Sequence, residues 1–529
     1  MQKKRTAETL APELFYLIFQ NLEEEPVNLL NCSLVSRRWC SFAIPILWKK
    51  SFNICSSHKR YKLVRIYLKL SSQEERFSFI DSLISKDSQY ALEAFYQEKF
   101  SRKPALFNYA SFLQQLDYLK LVESASLFWD QLRHKEDRTT IVLVDKNNNR
   151  VDLKNISISN IEKLTHHLWD ILLSRAKVTF LKIDSSRSYI GKMVVALHKF
   201  KLSNSYFSRI QKFTCGGGFA KDNLIDIMSQ ICREIEEITI LSTSAAFNEK
   251  IDWGPLIKAQ RNLKILKLRS VRYDLTGLYN SLSSQINSLR HVKLELCLYQ
   301  QGLPLISLAT CKNLESLSLF YCGVHQCEKV LTESSFIAPL KSLQLNTTYI
   351  HKDDLINLII GSNKNLEELI LDIDLKHYPF IDRIISDHCP NLVTLTTSYF
   401  SKYIITIMKK CKNLEILNVR STTTYNKGRS LYESDLPTPG QIFEEIAINS
   451  SKKLKKVIIQ ISKLFNPEEI KNFFKNCQTS SLEYLVVGFR GNKKEVEESF
   501  NRYAIRSGFN VTSIIYENRE ELRVKFRKK

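Results

Sequence analysis

The chain has 529 residues, of which 44% are hydrophobic and 25% are charged, and its formal net charge is +22. This balance is typical of a folded protein and excludes a disordered chain, while 14 glycines and 12 prolines are too few for a collagenous or linker-rich chain. No apolar run approaches the roughly 18 residues of a membrane-spanning helix, so we expect no membrane anchor. The 12 cysteines lack regular pairing spacing, which indicates reduced thiols and a cytoplasmic or nuclear protein.

Residues 8–50 form the first predicted module. Apolar side chains recur there at helical spacing in three short blocks, separated by Pro26 and by the Arg37-Arg38-Trp39 run. The pattern predicts three short helices. A module of this size is close to the lower limit for independent folding, so we expect it to complete its core against a partner.

The order of these residues resembles the F-box family. The resemblance depends on Pro12-Glu13-Leu14, on Ile18-Phe19 and on Val35-Ser36-Arg37-Arg38-Trp39. It implies a non-catalytic substrate receptor of a cullin–RING ubiquitin ligase, whose F-box binds a Skp-type adaptor that joins it to the cullin and RING subunits. The adaptor contacts that the resemblance implies are Leu10, Pro12, Glu13, Ile18, Phe19, Leu22, Leu29, Leu30, Val35 and Trp39. The alternative, that these residues are only the core of a small helical cap, stays open.

Residues 51–170 are rich in aromatic and apolar side chains but show no clear repeat. We expect a helical linker and irregular early repeats in this segment.

An L-x-x-L-x-L pattern recurs through residues 171–500. The first apolar residues of the regular copies lie 26, 25, 26, 26 and 26 residues apart, at Leu263, Leu289, Leu314, Leu340, Leu366 and Leu392. Looser copies begin at Val178, Ile210, Ile235, Leu414, Leu454 and Leu482. The stretches between copies suit short amphipathic helices, so each unit predicts one strand and one helix. This is the repeating unit of a leucine-rich-repeat solenoid.

The predicted fold is therefore α/β, with an N-terminal three-helix F-box followed by a leucine-rich-repeat solenoid whose parallel sheet is concave and whose helices are convex. Because the leucines point inwards, the residues between them face the concave surface. We expect this surface to bind the protein substrate, whose identity and modification state stay open. The candidate contacts are His291, Lys293, Glu295, Ser316, Ser318, Phe320, Gln344, Asn346, Glu368 and Asp372.

The cysteines predict neither a metal site nor a catalytic centre. Cys322 and Cys327 flank His325, but no second pair of ligands follows, so we expect no metal and no cofactor. Another set stands two residues before an Asn-Leu pair in different repeats and is predicted to pack as small buried groups. This set is Cys311, Cys389 and Cys411.

The basic residues support a rival class of function. They cluster at residues 452–456 and in a predicted C-terminal cap and tail at residues 501–529. Such clusters suit a solvated surface, a nuclear import signal or contact with nucleic acid. The predicted concave face carries Glu295, Glu368 and Asp372, however, which disfavours nucleic acid. The rival is a leucine-rich-repeat scaffold that binds protein or nucleic acid without a ligase role.

Overall fold

The computed structural model of the chain has two compact units, Met1–Leu263 and Lys264–Lys529. The structure describes residues 10–83, 89, 92–93, 96, 105–138, 158–184, 204–216, 224–241, 251–271, 275–297, 305–322, 338–348, 350–373, 378, 381–397, 403–420, 439–449, 452–460, 472–473, 482–490, 509–518 and 521–528.

The N-terminal unit begins with helices and continues as a parallel sheet with intervening helices. Its described helices are α1 (Pro12–Asn21), α2 (Pro26–Ser33), α3 (Arg37–Trp48), α4 (Ser51–Ile54), α5 (Tyr61–Leu68), α6 (Gln73–Ser82), α7 (Tyr118–Arg138), α8 (Ile158–Arg175), α9 (Asn204–Phe207), α10 (Leu224–Ile231) and α11 (Gly254–Ala259). Its strands pair in parallel in chain order and are β1 (Gln115–Asp117), β2 (Phe180–Ile183), β3 (Lys212–Gly216) and β4 (Glu237–Leu241).

The C-terminal unit repeats the alternation of strand and helix. Its described helices are α12 (Thr276–Ser281), α13 (Leu305–Ala309), α14 (Lys352–Ser362), α15 (Ile381–His388), α16 (Tyr403–Lys410) and α17 (Pro439–Asn449). Its parallel strands, in chain order, are β5 (Ile265–Arg269), β6 (His291–Glu295), β7 (Ser316–Phe320), β8 (Ser342–Asn346), β9 (Glu368–Asp372), β10 (Thr394–Thr397), β11 (Ile416–Arg420), β12 (Lys456–Gln460) and β13 (Tyr484–Arg490). An antiparallel pair, β14 (Phe509–Asn518) and β15 (Glu521–Lys528), then joins β13 through β15.

The repeated leucines form the core of this sheet. The first leucine of each regular copy, such as Leu314, is fully buried two residues before its strand. The alternate strand residues Leu317 and Leu319 are buried beside it. Burying a side chain of this size stabilises the fold by about 1.5–3 kcal/mol, and no single repeat has a partner layer of its own. The predicted α/β solenoid fold after N-terminal helices is confirmed.

Small side chains join neighbouring repeats behind the strands. Cys297, Cys322 and Thr348 are buried three residues after the last strand leucine of consecutive repeats. The Cys322 thiol donates to the Leu294 carbonyl at 3.4 Å, and the Thr348 hydroxyl donates to the Leu319 carbonyl at 2.9 Å. The sequence did not predict this packing role for Cys297, Cys322 and Thr348. The cysteines predicted to pack as small buried groups are also buried: Cys311, Cys389 and Cys411.

We expect Thr348→Val to lower the free energy of unfolding by about 1–2 kcal/mol, because valine keeps the shape of the side chain but removes a buried donor. Urea denaturation measures the loss. The matched control is Thr310→Val, which removes an exposed hydroxyl bonded to the Ser307 carbonyl and should change stability by less than about 0.5 kcal/mol. Equal effects of the two substitutions would contradict the role of Thr348 in joining neighbouring repeats.

Each unit contains strands outside residues 171–500. Strand β1 lies inside the segment predicted as a helical linker and irregular early repeats, and its three residues are too few to leave a readable alternation in the sequence. The predicted C-terminal tail contains β14 and β15, while Lys529 lies outside the described residues. In β15, Leu522, Val524 and Phe526 alternate with Arg523, Lys525 and Arg527, which is the two-residue period of a strand.

The helices before β2 surround a half-buried histidine. The His167 ring stacks on Phe79 with ring centroids 4.4 Å apart, and its Nε2 atom lies 3.2 Å from the Ser71 hydroxyl. Burial lowers the pKa of His167 to about 4, because the imidazolium form would lose its hydration. An unfolded histidine has a pKa of about 6.5, so the unfolded chain takes up this proton first as the pH falls. The stability contribution of neutral His167 is therefore complete above about pH 6.5 and declines towards pH 4.

We expect His167→Phe to weaken the pH dependence of stability, since phenylalanine preserves the stacking on Phe79 but does not titrate. The measurement is the thermal unfolding midpoint of the parent and the variant at intervals from pH 7 to pH 4. Parent and variant losing the same number of degrees over this range would show that His167 is not the group responsible.

In the part of the chain that the structure describes, no helix has both the length and the apolar character needed to cross a bilayer.

Candidate functional site

The first three helices pack into a small aromatic core. Pro12 and Pro26 stand in the first turns of α1 and α2, where the missing amide hydrogen costs nothing, and the Ser36 hydroxyl accepts from the Trp39 amide at the start of α3. Trp39 meets the rings of two α1 phenylalanines edge-on. The fully buried members of this core are Phe15, Phe19, Leu29, Ala43 and Ile46.

The other faces of α1 and α2 leave apolar side chains exposed. Leu14, Leu17 and Ile18 have the i, i+3, i+4 spacing of one helix face and are 47%, 55% and 47% exposed. Val27, Leu30 and Leu34 have a similar spacing on α2 and the residue after it. Together with the exposed Val35 we call them the F-box apolar surface, which comprises Leu14, Leu17, Ile18, Val27, Leu30, Leu34 and Val35. This many exposed apolar side chains on so small a module make it a candidate interaction surface.

The residues predicted as adaptor contacts fall into three groups in this structure. Pro12, Glu13, Ile18, Leu30 and Val35 are exposed, and Leu10, Leu22 and Trp39 are half-buried against the core. Phe19 and Leu29 are buried, where they hold the helices together. The predicted adaptor contacts do not include Leu14, Leu17, Val27 and Leu34. Helices that are apolar on two faces do not reveal from sequence which face is the core.

The residue after α3 is hydrogen-bonded to the start of the parallel sheet. The Lys49 carbonyl accepts from the amides of Gln114 and Gln115, at 2.9 and 3.1 Å. The Gln114 carbonyl accepts in the same way from Thr179 and Phe180, at 2.9 and 3.0 Å. The backbone pattern that joins one strand to the next in this unit therefore also joins the helical module to β1.

A cluster of buried and half-buried aromatic side chains lies beside the hydrogen bonds between Lys49 and the start of β1. The Trp48 ring lies 4.3 Å from the Tyr109 ring and 5.8 Å from the Tyr67 ring, measured between centroids. Phe52 packs against Tyr67, whose hydroxyl lies 2.8 Å from the Ser51 hydroxyl. Burial raises the pKa of Tyr67, so the phenol stays neutral. The end of α3 thus shares packed aromatic side chains with α5 and with the segment that precedes β1.

A second candidate surface lies on the strands of the C-terminal unit. We call the first, third and fifth residues of β5 to β9 the strand face, because the residues between them are buried. The parallel register aligns His291, Ser316 and Glu368 in one row across the strands, and Glu295, Phe320 and Asp372 in another. All ten predicted substrate contacts lie on this face, although Ser318 is largely buried within it.

Polar side chains on the strand face hold one another in place. The Ser342 hydroxyl and the Gln344 amide both donate to Glu368, at 2.6 and 2.8 Å. The Asn346 amide donates to Asp372 at 3.1 Å. Nearer β5, Arg269 pairs with Glu295 at 3.3 Å. The carboxylates are thereby oriented before any partner binds.

The structure gives no support for a metal centre within its described residues. They contain no group of three or more histidine, cysteine, aspartate or glutamate side chains arranged to hold a metal ion. Of the cysteine and histidine cluster at residues 322–327, Cys322 is buried and donates to the carbonyl of Leu294 in the preceding repeat. Residues 323–327 lie outside the described part of the chain.

Comparisons with known proteins identify the helical module. Residues 12–54 match the family model of the F-box-like domain, and this range runs from the first residue of α1 to the last residue of α4. Among solved structures, the chain is similar to one in the crystal structure of the Rad7 and Elc1 complex in yeast, with 13% sequence identity and a TM-score of 0.35. That similarity covers 80% of this chain and 91% of the yeast chain. A comparison with curated proteins gives no match.

Proposed function

We propose that the chain is the substrate-recognition subunit of a Skp–cullin–F-box-type ubiquitin ligase. In this proposal the F-box apolar surface binds a Skp-type adaptor, which brings the cullin and RING subunits. The solenoid strands bind the protein that receives ubiquitin, and this chain performs no covalent chemistry. The observation that carries the proposal is an F-box-like domain whose completed core still leaves seven apolar side chains exposed.

The exposed apolar side chains supply part of the binding free energy of such a complex. Covering a fully exposed leucine or valine is worth about 1.5–3 kcal/mol, so a half-exposed one contributes about 1 kcal/mol. Seven such side chains offset the lower part of the association cost of about 4–15 kcal/mol. Few charges lie among them, which is typical of the centre of an interface.

The junction between the F-box-like domain and the sheet also supports a receptor. Ubiquitin transfer requires the target to be held in a defined position, and loss of orientation lowers the rate of a reaction between two bound groups. The hydrogen bonds at the Lys49 carbonyl and the packing of Trp48 and Phe52 fix the domain to β1. A flexible tether would not serve this purpose.

A pull-down with purified Skp-type adaptor and cullin tests the proposal. The full chain is compared with the double variant Ile18→Asp, Leu30→Asp, which places two charges on the F-box apolar surface. Phe77→Asp is the matched control, because Phe77 on α6 is 56% exposed but lies outside the F-box-like domain. The parent and the control should retain adaptor and cullin, and the double variant should lose both.

Failure of a well-folded parent to retain the adaptor would contradict the proposal. It would leave the rival function, a repeat scaffold without a ligase role, as the better explanation of the fold.

A further inference from the structure

The charges of the strand face are separated along the sheet. On β5 and β6, Lys267, Arg269 and Lys293 outnumber Glu295, and the side chains of Arg269 and Lys293 are 52% and 47% exposed. On β9 the charged residues of this face are Glu368 and Asp372, both acidic. The face of β7 between them carries two serines and a phenylalanine. One end of this surface is therefore basic and the other is acidic.

Exposed apolar side chains lie along one border of the same face. Leu296 and Tyr321, the residues after β6 and β7, are 39% and 55% exposed. They belong to neighbouring repeats, since the Leu296 amide donates to the Phe320 carbonyl at 2.8 Å. The ammonium group of Lys293 lies 4.9 Å from the centroid of the Phe320 ring, so a cation and an aromatic ring meet at this border.

The backbone at this border favours other residue types. Leu296 and Tyr321 have φ angles of 55° and 52°, in the left-handed region that glycine and asparagine adopt most readily. Neither side chain is needed to fill the core, because both are exposed. The equivalent residues Ser270 and Thr347 have the same conformation, with φ angles of 56° and 45°, so the turn belongs to the repeat. What distinguishes Leu296 and Tyr321 is that they place large apolar side chains in solvent beside the strand face.

The acidic end has unused hydrogen-bonding capacity. The donors to Glu368 reach its Oε2 atom, and the donor to Asp372 reaches its Oδ2 atom. Within the described residues, the second oxygen of each carboxylate has no donor. The carboxylates are thus oriented by the protein and still able to accept bonds from a cationic partner.

We propose that the strand face of β5 to β9 binds an extended peptide segment with acidic residues at one end, bulky apolar residues in the middle and basic residues at the other end. The acidic end lies over β5 and β6, the apolar centre contacts Leu296, Phe320 and Tyr321, and the basic end reaches β9. Four strand spacings of about 4.8 Å give a span of about 19 Å, which an extended peptide covers in about six residues. This inference rests on the proposed function, because it names the class of substrate sequence that the receptor captures.

Fluorescence anisotropy with two labelled peptides and the full chain tests the inference. The probe has three glutamates, a Leu-Phe-Leu centre and three lysines, in that order. The comparison peptide has the same composition, but its glutamates and lysines alternate on both sides of the centre. Both peptides have the same net charge, so general attraction to a chain of charge +22 affects them equally. The probe should bind at least tenfold more tightly.

Two sets of variants locate the binding. The double variant Leu296→Asn, Tyr321→Asn should weaken probe binding at least tenfold and remain folded, because asparagine suits the left-handed conformation. Ile306→Asn removes a 61% exposed apolar side chain from α13 and should leave binding unchanged. Glu368→Lys with Asp372→Lys should weaken binding of the probe and improve binding of a peptide with glutamates at both ends. Equal affinities for the two original peptides, or no effect of the strand-face variants, would overturn the inference.

This assay contains no adaptor, so its failure and the failure of the proposed function are distinguishable. Loss of peptide selectivity with normal adaptor capture would reject only the substrate class, whereas loss of adaptor capture with selective peptide binding would reject only the ligase role.

Discussion

Phe19→Ala is expected to lower the free energy of unfolding of the N-terminal unit by about 3–5 kcal/mol. The Phe19 ring is 1% exposed and lies 5.9 Å from the Phe15 ring and 5.4 Å from the Trp39 ring. Its truncation leaves a cavity where α1 meets α3, and a domain this small has little other core to compensate. Urea denaturation measures the loss, and amide hydrogen exchange in α1 and α3 should accelerate with it.

Leu17→Ala is the matched control for this prediction. Leu17 lies on the same helix but is 55% exposed, so we expect a change within about 0.5 kcal/mol. A loss of stability as large as that of Phe19→Ala would mean that the F-box apolar surface belongs to the core. The comparison also separates two ways of losing adaptor binding, through an unfolded domain or through an altered surface.

Phe52→Ala is expected to have an effect of similar size, about 3–5 kcal/mol, at the junction with the sheet. Phe52 is fully buried and packs against Tyr67. Because α4 follows Lys49, loss of this packing should weaken the hydrogen bonds that the Gln114 and Gln115 amides donate to the Lys49 carbonyl. Amide hydrogen exchange at these two residues is the specific measurement, with urea denaturation for the total loss.

The control for the junction is Phe77→Ala, which truncates an exposed phenylalanine on α6. It should leave exchange at Gln114 and Gln115 unchanged. Unchanged exchange in Phe52→Ala as well would contradict the conclusion that packing of α4 stabilises the hydrogen bonds between Lys49 and the residues at the start of β1.

The repeat made much of the C-terminal unit predictable. The first leucine of each copy is buried, as Leu289, Leu314 and Leu340 show. Regular spacing in the sequence therefore becomes regular stacking in the structure. The alternation also identified which residues share the strand face. It did not reveal the left-handed backbone at Leu296 and Tyr321, because neither residue type is typical of that conformation.

Other features depend on contacts between distant residues. The pairing of β1 with Lys49 joins segments more than sixty residues apart, and three strand residues carry too little pattern to predict it. In the F-box-like domain, the motif located the helices, but only packing distinguishes buried Phe19 from exposed Ile18. At the C-terminus, the basic character of β15 obscured its alternation.

Isothermal titration of the full chain with a purified Skp-type adaptor tests whether the F-box-like domain binds the adaptor. We expect a one-to-one complex with a negative heat-capacity change, because the F-box apolar surface becomes buried. The double variant Ile18→Asp, Leu30→Asp should weaken binding at least a hundredfold, and Phe77→Asp should not. Absence of binding by the folded parent, or equal affinity of all three proteins, would contradict the account.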